Sequence, residues 1–209
     1  MPNWCSNTLE IKGPTTKLEE FSKTIKDGEG FFNTILPLPT QLEETTSPTP
    51  KDSNQPVIDG ASNWYDWRVN NWGTKWDVDG EDSFYTNELK DLDSLEAKSC
   101  SHKIGTKCSL LTLAFDTAWS PPEGIFEELS RQGFRVKAYY YEPGMDFAGR
   151  WEDGDDEGIQ VHDYKHDDKF WTEGLGKELD EEFNICEEMS QYDEQTDEIE
   201  ANIQKEIAK

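Results

Sequence analysis

Ser109-Leu110-Leu111-Thr112-Leu113-Ala114-Phe115 is a short apolar run whose length and composition predict a central β-strand. Shortly after it, Ser120-Pro121-Pro122-Glu123 combines a serine N-cap, a proline in the first turn and a glutamate at the capping-box position. This pattern and the apolar spacing behind it predict a helix over Pro122–Arg131, which Gly133 ends. Phe134–Tyr141 is predicted as the next strand, so this part of the chain forms a strand–helix–strand unit.

The N-terminal part of the chain begins with the same order. Apolar and polar residues alternate over Trp4–Ile11, which predicts a strand, and Gly13-Pro14 ends it. A helix follows, with apolar residues at helical spacing: Leu18, Phe21 and Ile25. Interrupted strands, including an edge strand over Val78–Thr86, connect the two units. The order predicts a ferredoxin-like α+β sandwich, in which an antiparallel sheet carries two helices on one face.

A tryptophan-rich insertion spans about residues 40–107. Thr40–Gly60 is rich in Thr, Ser, Pro and Asp and is predicted as an exposed loop. A short helix over Trp64–Val69 and a turn at Gly73 follow, within and around the segment Asn71-Trp72-Gly73-Thr74-Lys75-Trp76-Asp77. Because each tryptophan can bury roughly 150–250 Å², we expect this segment to pack as core and to cover the sheet face that the helices leave free.

The charge of the chain is strongly acidic and unevenly distributed. It has 45 acidic and 20 basic residues among 209, a formal net charge of −25, and Glu142–Lys209 alone contains 23 acidic and 6 basic residues. We therefore divide the chain into a ferredoxin-like core over residues 1–151 and an acidic extension over 152–209, with a hairpin and two amphipathic helices. The charge disfavours direct binding to nucleic acid or anionic membranes. Without a membrane-length apolar run or a signal peptide, the expected location is the cytoplasm.

Four short motifs resemble those of a known family. They are Met1-Pro2-Asn3-Trp4-Cys5-Ser6-Asn7, the tryptophan segment Asn71–Asp77, Phe115-Asp-Thr-Ala-Trp-Ser-Pro-Pro122 and Tyr141-Glu-Pro-Gly-Met-Asp-Phe-Ala-Gly149. Together they resemble the YubB ferredoxin-like family of small proteins encoded by phages and conjugative plasmids. The resemblance spans about Met1–Trp151 and implies a ferredoxin-like fold and a mobile-element origin. It implies no catalytic residues, and the acidic region from Gly154 onward departs from the family pattern.

The sequence contains no recognised catalytic motif, so we expect a non-enzymatic protein without a cofactor. Two sets of residues are candidate metal ligands: His162 and His166, and Cys100, His102 and Cys108. Neither set has a recognised zinc spacing, which favours surface histidines and free thiols. Cys5 lies on the apolar side of the first strand and is expected to be a buried thiol rather than a nucleophile.

The acidic extension is the main functional feature of the sequence. Proteins that bind nucleic acid present basic grooves, and carboxylates dense along a hairpin and helices can occupy such a groove in DNA's place. The sequence therefore predicts a phage- or plasmid-encoded inhibitor of a host defence complex, a CRISPR effector or a restriction enzyme, that acts as a nucleic-acid mimic. The predicted partner-binding residues form two patches: Glu152, Asp153, Asp155, Asp156, Glu157, Asp167 and Asp168, and Glu181, Glu182, Glu187 and Glu188.

Two alternatives remain open. The first is a single-stranded nucleic-acid-binding accessory protein that stacks bases on aromatic residues of the sheet: Trp4, Trp72, Trp76 and Trp119. Such a surface needs arginines and lysines to hold phosphates, and because these are few and scattered we favour core packing of the four rings. The second alternative is a scaffold for other phage proteins. The apolar stripes of the C-terminal helices also suggest a homodimer.

Overall fold

The computed structural model describes residues 3–28, 30–93 and 107–207. Within these ranges six strands form one sheet: β1 (Trp4–Pro14), β2 (Phe84–Asp91), β3 (Cys108–Ala118), β4 (Arg135–Glu142), β5 (Phe147–Glu152) and β6 (Asp155–Gln160). The described helices are α1 (Thr15–Lys26), α2 (Phe31–Ile35), α3 (Trp64–Trp72), α4 (Glu123–Arg131), α5 (Gly174–Phe183) and α6 (Ile185–Ile207).

The sheet has the ferredoxin-like strand order. The strands run in the order β2-β3-β1-β4-β5-β6, and each neighbouring pair is antiparallel. Leu9 in β1 lies opposite Leu113 in β3 and Ala138 in β4, so β1 is central. Because α1 connects β1 to β2 and α4 connects β3 to β4, the predicted ferredoxin-like α+β sandwich is confirmed. The hairpin β5–β6 extends this sheet beyond β4, and residue 151, the predicted domain boundary, lies within β5.

The first core lies between the sheet and the helices α1 and α4. Alternation along β1 turns Leu9 and Ile11 toward this core, while α1 and α4 bury their apolar faces: Leu18, Phe21, Ile25, Ile125, Phe126 and Leu129. Cys5 and Asn7 lie on the same side of β1. Cys5 is fully buried, as predicted, and this burial raises the pKa of its thiol, so the sulfur stays protonated and is a poor nucleophile.

The tryptophan segment extends the helical layer, and the prediction that it covers the opposite sheet face is wrong. Trp72 is fully buried and packs edge-on against Phe32 at 5.9 Å between ring centroids, and Phe32 packs on Phe115 of the helix-covered face. Glycines allow this arrangement. A Cβ on Gly124 would lie 1.9 Å from the Asn71 carbonyl oxygen, so the end of α3 can approach the start of α4 only where a side chain is missing.

The opposite face of the sheet is covered, over β4 and β5, by the C-terminal helices. A second apolar cluster forms there: Tyr141, Ala148, Val161, Trp171, Leu179 and Ile185. The apolar side chains of α5 and of the first turn of α6 therefore pack against the sheet of the same chain. Further along α6, Tyr192, Ile199 and Ile203 are exposed.

Three local predictions differ from the structure. Ser120 is not the N-cap of α4, because its hydroxyl donates to the Gly73 carbonyl at 2.6 Å and Pro122 takes the cap position instead. The edge strand begins at Phe84 and not at Val78. The acidic hairpin is tighter than predicted, since β6 starts at Asp155 and the turn consists of two residues.

Candidate functional site

The β5–β6 hairpin carries most of the first group of predicted carboxylates. Four of them line one cavity of about 280 Å³: Glu152, Asp153, Asp155 and Glu157. Two arginines share this cavity, since Arg135 pairs with Asp153 and Arg150 Nη2 lies 2.6 Å from Glu157 Oε2. Asp156 is directed to the other sheet face, where the Tyr140 hydroxyl donates to it at 2.7 Å. The hairpin acids are thus partly neutralised by cations of the sheet.

Glu178 on α5 joins this hairpin to the C-terminal helices. Its carboxylate accepts hydrogen bonds from Lys137 Nζ at 3.1 Å, the Tyr139 hydroxyl at 2.6 Å and Arg150 Nη1 at 3.0 Å. Burial opposes ionisation of Glu178, but these three hydrogen bonds outweigh it and lower its pKa to about 2. The ionised carboxylate therefore fixes α5 on the sheet beside the hairpin.

The second group of predicted carboxylates lies on α5 and the first turn of α6. All four residues are exposed: Glu181, Glu182, Glu187 and Glu188. Glu182 accepts a hydrogen bond from the Thr8 hydroxyl at 2.5 Å, and Glu188 accepts one from the Tyr141 hydroxyl at 3.2 Å. Because these donors are neutral, they orient Glu182 and Glu188 without compensating their negative charge, whereas Glu181 has a surface ion pair with Lys177.

Asp167 and Asp168, predicted to belong to the hairpin patch, lie in the loop after β6. Asp168 accepts a hydrogen bond from the Lys165 backbone N–H at 2.8 Å. Asp167 is exposed and lines a separate cleft of about 910 Å³ that also contains Glu188. The structure therefore groups Asp167 with the second set of carboxylates.

The candidate metal ligands do not form a site in the described part of the chain. His162 pairs with Asp146, whereas His166 Nδ1 lies 3.2 Å from Asp193 Oδ2 on α6. Over residues 3–28, 30–93 and 107–207, no group of three or more His, Cys, Asp or Glu side chains is arranged to hold a metal ion. Cys108 is buried at the start of β3. Cys100 and His102 lie outside the described residues.

Three tryptophans are exposed at the end of the sheet where β1 begins and β3 ends. Trp76 stacks with Trp119 at 6.4 Å between ring centroids, and Trp4 lies 6.0 Å from Trp76. Their exposed fractions are 47% for Trp4, 37% for Trp76 and 41% for Trp119, so about 100 Å² of each side chain remains open. The prediction of core packing is thus correct for Trp72 and wrong for these three, which form a tryptophan end of the sheet.

The tryptophan end is held in an uncommon conformation. Trp119 has φ +68°, a left-handed backbone conformation that costs a non-glycine residue of order 1 kcal/mol. Lys75 Nζ lies 4.4 Å from the ring centroid of Trp76 and 5.7 Å from that of Trp119, within cation–π range. The Thr74 hydroxyl donates to the Ala118 carbonyl at 3.1 Å and ties the two segments together.

The four motifs quoted above all reach this end of the molecule. The buried Asn7 amide donates to the Thr117 hydroxyl at 2.8 Å and links the first motif to the third. Glu142, which is 1% exposed, accepts hydrogen bonds from the Gly144 and Met145 backbone N–H groups and shapes the fourth. Each motif can be found in the sequence, but their proximity in space depends on the register in which the strands pair.

The comparison with known families identifies the domain. A family model described as the ferredoxin-like domain in Api92-like protein matches residues 95–199, just over half of the 209 residues. The chain belongs to this family. The range matched by the Api92-like domain model runs from before β3 into α6 and includes the acidic hairpin and α5. Comparison with curated proteins and with solved structures gives no significant match.

No helix in the described part of the chain has the length and apolar character needed to cross a membrane.

Proposed function

We propose that the protein inhibits a host nucleic-acid-targeting defence complex by placing its acidic surface in the complex's basic groove. The observation that carries the proposal is the excess of carboxylates around the hairpin. Five carboxylates share one sheet face with three cations there: Glu152, Asp153, Asp155, Glu157 and Glu178 against Arg135, Lys137 and Arg150, while Asp156 adds a further charge on the other face. The local charge stays negative even when every ion pair is intact.

The geometry of β6 supports mimicry of a phosphate backbone. Asp155, Asp156 and Glu157 are consecutive in an extended strand, in which residues rise by about 3.4 Å each. One strand of DNA carries one phosphate charge per about 3.4 Å along the helix axis. Because alternate carboxylates lie on opposite sheet faces, Asp155 and Glu157 present charges about 6.8 Å apart on one face, which corresponds to every second phosphate along the axis of a nucleic-acid strand.

Glu178 supports the proposal by making the two acidic groups one surface. Since it binds Arg150 of the hairpin and belongs to α5, the carboxylates of α5 are held at a fixed distance from those of β6. A preorganised array loses less conformational entropy on binding than a flexible tail of the same charge. The resemblance to the YubB family is the basis for proposing a phage or plasmid origin and a host-cytoplasmic location.

The proposal can be tested by phage challenge. A host carrying a restriction system or a CRISPR effector, and expressing the protein, is infected with a phage that the system normally blocks. We expect the native protein to raise plating efficiency. The variant Glu152→Gln, Asp155→Asn, Glu157→Gln should lose this effect, because it keeps side-chain shape and removes three charges. The control Glu19→Gln, Glu20→Gln, Asp27→Asn removes three exposed charges near α1 and should retain it.

Equal protection by the hairpin variant would exclude the mimicry mechanism. With a purified target, binding should weaken steeply between about 50 and 200 mM salt. A gel shift with single-stranded DNA and RNA distinguishes the alternatives, since a mimic binds neither, whereas an accessory protein that stacks bases on the sheet shifts at least one. Protection or partner binding that is insensitive to both salt and the hairpin variant would instead favour a scaffold for other phage proteins.

A further inference from the structure

Arg68 on α3 differs from the other arginines of this acidic protein. The other three each pair with a carboxylate: Arg131 with Glu128, Arg135 with Asp153, and Arg150 with Glu178. The described structure shows no hydrogen bond or ion pair of Arg68, and its Nε is buried without a partner. The buried Nε is closed to a ligand, but the Nη groups also have no hydrogen-bond partner in the described structure, so a ligand that accepts from them would gain affinity.

Two aromatic faces position the Arg68 guanidinium. Its Cζ lies 4.7 Å from the ring centroid of Trp72 and 5.3 Å from that of Trp64. Trp72 is fully buried, so this stacking surface is rigid. A guanidinium held over ring faces directs its Nη N–H donors outward in its own plane, where they can meet a second planar group.

A cavity of about 570 Å³ opens beside Arg68, within the range of roughly 300–1,000 Å³ that is usual for small-molecule sites. Trp4 and Trp76 contribute aromatic walls, and Glu43 and Asp79 contribute exposed carboxylates. Asp77 also lines it, but its two oxygens already accept three backbone N–H bonds, at 2.7 to 2.9 Å, so its role is to hold the loop.

We propose that this cavity binds a purine base, with guanine the best-matched chemistry. The base stacks on Trp4 or Trp76, as bases stack on aromatic side chains in other nucleic-acid sites. Arg68 donates to the O6 and N7 acceptors, the pairing for which a guanidinium is best shaped. Glu43 and Asp79 accept from the N1–H and N2–H donors on the adjacent edge. The two acceptors and the two donors of guanine all lie in the plane of its ring. The other common bases lack the acceptor pair, the donor pair or both.

The charge of the rim selects among guanine-containing ligands. The lining carries Arg68 against three carboxylates, and the whole protein carries −25, so a phosphate is repelled. The ligand is therefore recognised by its base, and a free nucleoside should bind more tightly than its monophosphate. This inference does not depend on the proposed inhibition of a defence complex, and nucleoside binding measures it separately.

Isothermal titration of the full chain with guanosine, guanosine 5′-monophosphate, adenosine and cytidine tests the proposal. We expect saturable 1:1 binding of guanosine and weaker binding of its monophosphate. The difference in affinity between the two ligands should shrink as salt is added. Trp76→Ala and Arg68→Gln should each weaken guanosine binding by about tenfold or more. Arg131→Gln and Tyr192→Ala are the matched controls, since both residues are exposed and lie outside the cavity. Arg68→Lys keeps the charge but loses the planar fork, so it should also bind weakly.

Several outcomes would overturn the proposal. These are no saturable binding of any nucleoside, undiminished binding in folded Arg68→Gln or Arg68→Lys, and tighter binding of the monophosphate than of guanosine. Binding of Nα-acetylarginine amide in place of guanosine would assign the cavity to cationic side chains instead.

Discussion

Glu178 is expected to be the main electrostatic contact between α5 and the sheet. The change Glu178→Gln keeps the shape of the side chain and removes its charge, so Lys137 and Arg150 lose their common anion. A pKa of about 2, compared with the usual 4.5, corresponds to about 3 kcal/mol of stabilisation of the folded state. Because the side chain is 34% exposed, solvent screening reduces the expected loss to about 1–2 kcal/mol.

The loss of stability in Glu178→Gln should depend on pH. The folded pKa of Glu178 is depressed, so its contribution is fully present above pH about 4.5 and disappears as pH falls toward about 2. Urea unfolding at pH 7 and at steps down to pH 2, followed by circular dichroism, gives the free energy of unfolding for both proteins. We expect the native protein and Glu178→Gln to differ at pH 7 and to converge at pH 2.

Glu181→Gln is the matched control for this experiment. Glu181 lies on the same helix, is exposed, and has only a surface ion pair with Lys177 at 3.5 Å. Surface pairs of this kind contribute about 0–1 kcal/mol, so the control should remain close to the native protein. Equal stability of Glu178→Gln and the native protein at pH 7, or an unchanged difference at pH 2, would refute the assignment.

Two further predictions concern packing. Trp72→Ala removes a fully buried ring from the contact with Phe32. In the same urea assay it should lower the free energy of unfolding by about 3–5 kcal/mol. Tyr192→Ala, at an exposed position, should change the free energy of unfolding little. If the exposed Ile199 and Ile203 of α6 pair two copies, sedimentation velocity should detect a dimer that Ile199→Glu converts to monomer; a monomer at all concentrations would contradict the homodimer.

The fold was predictable from the sequence where periodicity and turn residues agree. β1, α1, β3, α4 and β4 were each anticipated, since one face of every element is apolar and glycine or proline ends most of them. β6 was harder, because Asp155-Asp156-Glu157 has poor strand propensity and becomes a strand only through pairing with β5.

The candidate sites were less predictable, because composition does not tell which way a side chain faces. Trp72 and Trp76 are four residues apart, yet the first is fully buried and the second is 37% exposed. Gly73, with φ +89°, ends α3 between them and turns the chain. Arg68 lies near Asp77 and Asp79 but makes no hydrogen bond or ion pair in the described structure, and this depends on how α3 packs against distant segments, which local sequence patterns do not encode.

The carboxylates of β6 have a consequence for self-association. β6 is the last strand of the sheet, and five of its six residues are exposed, so its outer edge offers unpaired backbone groups to any other extended chain. A second copy adding its own β6 in the register centred on Asp156 would place Asp155, Asp156 and Glu157 of the two chains opposite one another, within about 5 Å, and other registers still bring six carboxylates into one short strand pair. Repulsion between like charges at that distance opposes growth of the sheet, so a concentrated solution of the native protein resists edge-to-edge polymerisation.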